Sequence, residues 1–174
     1  SPSPSRERHS YNGPLAWLRI INYAKAEMRG KVGVNGQLHA WFVDINSLGV
    51  INGSSVALHS HNAKIDGDIQ GLKSVRIDSA VAGWPTLNDN DKISPTSSSS
   101  ILPQIQIKSN SHLECDSGPV TVLTNGSLTI DGDFTSKEAI IDAKKSISIT
   151  SSSVWKVSDT IRLTSGDDTT MDGD

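Results

Sequence analysis

Aspartates beside glycine are the side chains of this sequence best suited to bind a metal ion. Asp66 and Asp68 flank one glycine, and Asp131 and Asp133 flank another, in matching Ile-Asp-Gly-Asp segments. Carboxylate oxygens in this arrangement can bind calcium at a turn. However, the usual calcium-binding loop is absent, and Asp-Gly is a common tight-turn sequence. We therefore predict that these aspartates form turns and that the protein uses no metal or other cofactor.

Two histidines offer a second possible metal site. His59 and His61 lie two residues apart, the spacing at which side chains of a strand point the same way, as two metal ligands would. The surrounding sequence supplies no third ligand. We therefore expect both histidines to be exposed on the surface.

Several charged residues suit a carbohydrate-cleaving enzyme, which places carboxyl groups around the scissile bond. They are Arg76, Asp78, Asp142 and Lys144. Nothing in the sequence distinguishes them from other surface charges, and the Gly-x-Ser-x-Gly motif of one class of Ser-His-Asp hydrolases is absent. We predict no catalytic residue.

Three tryptophans are candidates for ligand binding, because aromatic rings on a β face can stack on sugars or fill a partner's pocket. They are Trp84, Trp41 and Trp155. Trp84 opens a polar stretch, so we expect it to be the most exposed of them. The alternative for all of them is ordinary packing.

Composition narrows the partners further. The net charge of -3 and the pI of about 5.9 give no general attraction for nucleic acid.

No segment approaches the roughly 20 consecutive apolar residues of a membrane-spanning helix. Cys115 is the single cysteine, so no intrachain disulfide can form, and we expect its thiol to be buried and inert.

The elements that must position these residues are mostly short strands. After Gly30, apolar residues recur in pairs two positions apart, and turn-forming Gly, Asn, Asp and Ser separate most of the pairs. The pairs are Val32 and Val34, Val43 and Ile45, Val56 and Leu58, Val75 and Ile77, Ile105 and Ile107, Val120 and Val122, Leu128 and Ile130, Ile147 and Ile149, and Ile161 and Leu163. This pattern predicts an all-β fold, a β-solenoid of stacked short strands, with a β-sandwich as the alternative.

One segment has a different spacing. Its apolar residues recur every three or four positions and are Trp17, Leu18, Ile21, Ala24 and Met28. Pro14 suits the first turn of a helix, and Gly30 suits its end. The spacing predicts an amphipathic helix over residues 14–29 that caps one end of the solenoid, with a membrane-surface or partner-binding helix as the alternative.

Composition sets the remaining boundaries. Residues 1–13 are rich in Ser, Pro and charge and predict a disordered arm. The solenoid is expected over residues 30–165, with a long polar loop at about 84–103. Residues 166–174 are expected to form an acidic tail.

The two Ile-Asp-Gly-Asp segments and the stretches at 126–133 and 145–150 resemble β-helical surface proteins. These are the filamentous-haemagglutinin-type, bactofilin-like and adhesin proteins with short Gly-Asp turns, and the resemblance covers roughly residues 50–83 and 120–165. It implies scaffolding, adhesion or assembly at the cell surface or after secretion, and it carries over no catalytic residue. The irregular repeat length and the long loop depart from the bactofilin-like polymers.

The sequence therefore predicts a non-enzymatic structural, adhesion or assembly module. Its expected partner is another protein or a second copy bound through the terminal strands, because an uncovered strand edge recruits other chains. Carbohydrate is a further possible partner. A polysaccharide-binding or polysaccharide-cleaving domain is the alternative.

Overall fold

The structure, a computed structural model, describes residues 17–79 and 103–174. These residues form one connected 13-stranded sheet and contain no helix. The strands are β1 (Trp17–Met28), β2 (Lys31–Gly33), β3 (Gln37–Ser47), β4 (Val50–Ile65), β5 (Asp68–Asp78), β6 (Gln104–Ile107), β7 (His112–Cys115), β8 (Pro119–Thr124), β9 (Ser127–Ile130), β10 (Asp133–Ala143), β11 (Ile147–Ile149), β12 (Trp155–Ser165) and β13 (Thr169–Met171).

Each strand pairs in parallel with strands one coil earlier or later, so the chain winds into a β-solenoid of about 6 turns. The paired segments form three faces. Face A contains residues 31–33, 50–52, 68–71, 112–115, 133–135 and 155–157. Face B contains 17–22, 37–42, 55–60, 74–78, 119–124, 138–143 and 160–165. Face C contains 25–28, 44–47, 62–65, 104–107, 127–130, 147–149 and 169–171.

The core is a set of apolar rows that run along the solenoid axis. Alternate side chains of a strand point inward, and each stacks on the equivalent side chain of the next coil. Representative rows are Ile51, Ile69, Leu113 and Phe134 on face A; Leu58, Ile77, Val122 and Ile141 on face B; and Ile65, Ile107, Ile130 and Ile149 on face C. None of these side chains is more than 4% exposed. The predicted β-solenoid is therefore confirmed, and the sandwich alternative is not what the chain forms.

Glycines allow the coils to stack closely where face C turns into face A. Gly30 has a φ of 78°, a conformation that glycine adopts without steric cost. Its carbonyl oxygen accepts a hydrogen bond from Val50 N at 2.8 Å, and a Cβ added to the adjacent Gly49 would lie 1.9 Å from that oxygen. The corner therefore requires glycine at position 49.

The helix predicted over residues 14–29 is not confirmed. Residues Trp17–Met28 form β1, which pairs in parallel with β3, and residues 14–16 lie outside the described residues. Leu18 and Ile20 are half-buried and pack against the core. Leu18 and Ile20 are two positions apart, so the apolar residues of this segment fit the spacing of a strand as well as that of a helix. Pairing with β3 favours the strand.

The other predicted segments are only partly described. The arm at 1–13 and residues 84–102 of the long loop lie outside the described residues. The 166–174 segment, expected as an acidic tail, contains β13, which pairs with β11.

Candidate functional site

Three rings stack on the outer surface of face B. The ring centroids of Trp41 and His59 are 5.2 Å apart with an interplanar angle of 11°, and His39 lies 5.7 Å from Trp41. Trp41 and His59 are register partners on neighbouring strands, so the stack follows the solenoid axis. The face of Trp41 toward His59 is therefore covered, and a sugar cannot stack on that side of the ring.

An ion pair lies next to this stack. Asp78 is the register partner of His59 on the following strand, and it accepts hydrogen bonds from Arg76 Nη2 at 2.8 Å and Nε at 3.2 Å. Burial lowers the pKa of His59 below its ordinary value of 6.5, and the negative charge of Asp78 opposes that shift only in part. His59 is therefore neutral at neutral pH.

Three of the four charged residues considered for carbohydrate cleavage, Arg76, Asp78 and Asp142, lie on the outer surface of face B, and Lys144 follows at the end of β10. Asp78 and Asp142 share one row, but Leu123 lies between them, so their backbones are two strand spacings, or about 9.6 Å, apart. Each carboxylate lies near a cation two residues away in the chain: Asp78 pairs with Arg76, and Asp142 lies 3.5 Å from Lys144 Nζ. The side chain between the two carboxylates on this row is the apolar Leu123.

The candidate metal-binding aspartates do not form one cluster. Asp66 and Asp131 lie at the same corner but two coils apart, with residues 108–111 between them, whereas Asp68 and Asp133 lie on face A on either side of His112. The backbone at this corner bonds to the preceding coil: Asp66 N donates to Ser47 O, and Asp131 N donates to Ile107 O, each at 2.7 Å. Over residues 17–79 and 103–174, no group of three or more His, Cys, Asp or Glu could hold a metal ion.

Two further expectations concern single side chains. His59 points outward but is only partly exposed, and His61 is only 6% exposed, so the expectation that both histidines are exposed is wrong for His61. It lies where face B turns toward face C, a corner at which the alternation of inward and outward side chains is interrupted. Cys115 is buried, as expected, and burial raises the pKa of its thiol.

The last coil that the structure describes, here called the terminal coil, leaves part of the core uncovered. Trp155 stacks on Phe134, with ring centroids 4.7 Å apart, and its indole Nε1 donates to Ser153 Oγ at 2.8 Å. Ile161 and Met171 are 51% and 59% exposed, although residues in the same inward rows of earlier coils are buried. We call Trp155, Val157, Ile161, Leu163 and Met171 the terminal surface. Trp84, the remaining tryptophan candidate, lies outside the described residues.

The fold makes this protein a parallel, three-faced β-solenoid. Comparisons with models of protein families, with curated proteins and with solved structures found no match. The solenoid and its repeats are thus the part of the resemblance to haemagglutinin-type, bactofilin-like and adhesin proteins that the structure supports. Among the residues that the structure describes, no helix is long and apolar enough to cross a membrane.

Proposed function

We propose that this protein is a non-enzymatic structural module that assembles with a second copy of itself through the terminal surface. The observation that carries the proposal is the exposure of Ile161 and Met171, at 51% and 59%. Both occupy inward rows of the solenoid, where an apolar side chain normally packs on another coil. Covering them removes apolar surface from water and stabilises the associated state.

The backbone at this end supports the same proposal. Among the strands that the structure describes, β12 pairs only with β10 and β13 only with β11. Asp174 bonds the outer edge of the chain at Trp155 N and Ser153 O, so the unpaired part of β12 begins after Trp155. A strand with one unpaired edge presents free N–H and C=O groups and can pair with another chain. The terminal coil therefore offers apolar contacts and a hydrogen-bonding edge together.

A two-fold axis gives two copies a self-complementary contact. We place this axis perpendicular to the solenoid axis and through the middle of face B, near Leu163. The rotation pairs β12 with itself in antiparallel fashion and lays face A of one copy on face C of the other. Trp155 and Met171 are equally far from Leu163 along the chain, so this rotation brings the indole of one copy toward the thioether of the other, where a contact would be favourable.

The spiral shape of the coil end fits the same symmetry. The end of a solenoid is a ramp, which rises along the chain from face A to face C. The two-fold rotation sets the low part of one ramp against the high part of the other, so the gap between the copies stays uniform.

Across the proposed contact, the charges of the two copies attract at one pair of positions and repel at another. Lys156 of one copy lies opposite Thr170 of the other, which Asp168 and Asp172 flank. Asp159 lies opposite Asp167 at a corner open to solvent, where salt screens the repulsion. Replacing Asp167 with lysine should therefore strengthen the contact.

Sedimentation velocity of the 174-residue chain between about 1 and 500 µM tests the proposal. We expect a concentration-dependent dimer that Ile161→Lys weakens at least tenfold, because the ammonium would be placed at the centre of the contact. Asp167→Lys should tighten the dimer at low salt. Leu72→Lys is the matched control, because Leu72 is 55% exposed but lies on β5, remote from the terminal coil.

A chain that stays monomeric over the whole range would rule out this function. An equal loss of association in Leu72→Lys would show non-specific apolar contact instead. Open-ended polymers that Ile161→Lys abolishes would preserve the assembly function but exclude the two-fold contact.

A further inference from the structure

A polar groove of about 640 Å³ lies along the outer surface of face C. Ala26, Ile45 and Ala63 lie at its floor, and the side chains of Ile45 and Ala63 point away from the groove into the core. Its polar lining residues are Glu27, Asn46, Asn62, Lys64, Gln104 and Gln106. These come from four neighbouring strands, β1, β3, β4 and β6, so the groove extends for three strand spacings, or about 14 Å, along the solenoid axis.

Side-chain amides dominate the polar lining. Each carboxamide offers both donors and acceptors, which matches the hydroxyl groups of a sugar, since each of these also donates and accepts. Asn46 Oδ1 is buried and accepts no hydrogen bond, so this amide can turn toward a ligand without losing a bond from its oxygen. Asn62 Oδ1 accepts a hydrogen bond from Gln104 N at 3.0 Å, which fixes one amide of the lining in place.

Charge favours a neutral ligand. Glu27 forms an ion pair with Arg29, so its carboxylate is already balanced. Lys64 is exposed, and its ammonium keeps most of its hydration. The described lining residues therefore contribute no buried charge that would require a counter-charge from the ligand.

The backbone in the groove does not favour an extended peptide. Peptides that bind to sheets usually pair with an unpaired strand edge. Over face C, β3 is paired with β1 and β4, β4 with β3 and β6, and β6 with β4 and β9, whereas β1 pairs with β3 alone among the described strands. Across β3, β4 and β6, recognition must therefore come from side chains.

We propose that this groove binds a short, linear, neutral oligosaccharide aligned with the solenoid axis. The site lies on face C and is separate from the terminal surface, so this inference goes beyond the assembly function. Glu27 is the only carboxylate among the described lining residues, and canonical glycosidases use two. The groove binds the sugar without cleaving it.

The 174-residue chain should be titrated with cellotriose, maltotriose and chitotriose. Isothermal titration calorimetry measures the binding, and amide chemical shifts locate it on the protein. We expect at least one trisaccharide to bind saturably, with shifts confined to face C. Gln106→Ala and Asn46→Ala should each weaken that binding about tenfold, because each removes hydrogen bonds to the ligand. Thr129→Ala is the matched control, because Thr129 occupies the same outer row as Gln106 one coil further on, outside the groove.

Three results would overturn the inference. The first is the absence of saturable binding by all three sugars up to about 10 mM. The second is binding that Gln106→Ala and Asn46→Ala leave unchanged, since the sugar would then bind elsewhere. The third is binding of trigalacturonate without binding of any neutral trisaccharide, which would make Lys64 an anion site. Unfolding curves that match the wild type would show that each variant is folded.

Discussion

Truncation of Ile77 to alanine should destabilise this protein much more than the same truncation of Ile161. Both isoleucines point inward on face B. Ile77 is 0% exposed and stacks between Leu58 and Val122 of the neighbouring coils, whereas Ile161, in the terminal coil, is 51% exposed. Ile77→Ala leaves an enclosed cavity and should cost about 2–5 kcal/mol. Ile161→Ala loses about half of the transfer free energy and leaves no enclosed cavity, so we expect about 1 kcal/mol.

Urea unfolding followed by far-UV circular dichroism measures both free energies. The protein must be dilute enough to be monomeric, because association through the terminal surface would stabilise the wild type relative to Ile161→Ala. Equal m-values in the variants would show that the unfolded states are comparable. Equal destabilisation by the two substitutions, or a loss below about 1 kcal/mol for Ile77→Ala, would refute the assignment of these side chains to interior and terminal coils.

Two further predictions concern the corners and the outer surface. Gly49→Ala should destabilise the fold by more than about 2 kcal/mol, because the added Cβ would lie 1.9 Å from the carbonyl oxygen of Gly30. In the control Gly53→Ala the nearest atom is 3.1 Å away, so a smaller loss is expected in thermal unfolding, and equal losses would contradict the stacking at the corner. The pKa of His59 is lower in the folded chain than its ordinary value of 6.5. As the pH falls below about 6.5, His59 of the unfolded chain therefore binds a proton more readily than His59 of the folded chain. Stability should therefore fall between pH 7.5 and 5, and His59→Gln should reduce that loss; an identical pH dependence in both proteins would exclude this cause.

The all-β solenoid could be predicted because its cause is local. A pair such as Val75 and Ile77 with polar neighbours places two apolar side chains on one side of a strand, wherever the strand lies in the fold. Turn residues between such pairs then limit the strand length. β1 could not be predicted in this way, because its apolar residues satisfy both strand and helix spacing, and pairing with β3 favours the strand.

The outer surfaces were harder to predict because they depend on register. Trp41 and His59 become neighbours only when β3 and β4 pair in their observed alignment, and coils of unequal length hide that alignment in the sequence. The groove illustrates the same limit. Asn46 and Gln106 line one groove although they are far apart in the chain, and only the β3–β4 and β4–β6 pairings bring them together.

The position of the long insertion explains how such distant residues still align. The chain leaves face B after Ser79 and returns to face C at Pro103. Ser79 Oγ donates to Thr124 Oγ1 at 2.6 Å, and Gln104 N donates to Asn62 Oδ1 at 3.0 Å, so both ends are bound to neighbouring coils.

The entropic cost of closing a loop grows only with the logarithm of its length. β6 can therefore take its place between β4 and β9 as if the connection were short. Because each row of the core requires only the coil above and the coil below, an insertion at a corner leaves the register of both faces intact. The groove on face C, which β6 completes, thus depends on the pairing of β6 with β4 and β9.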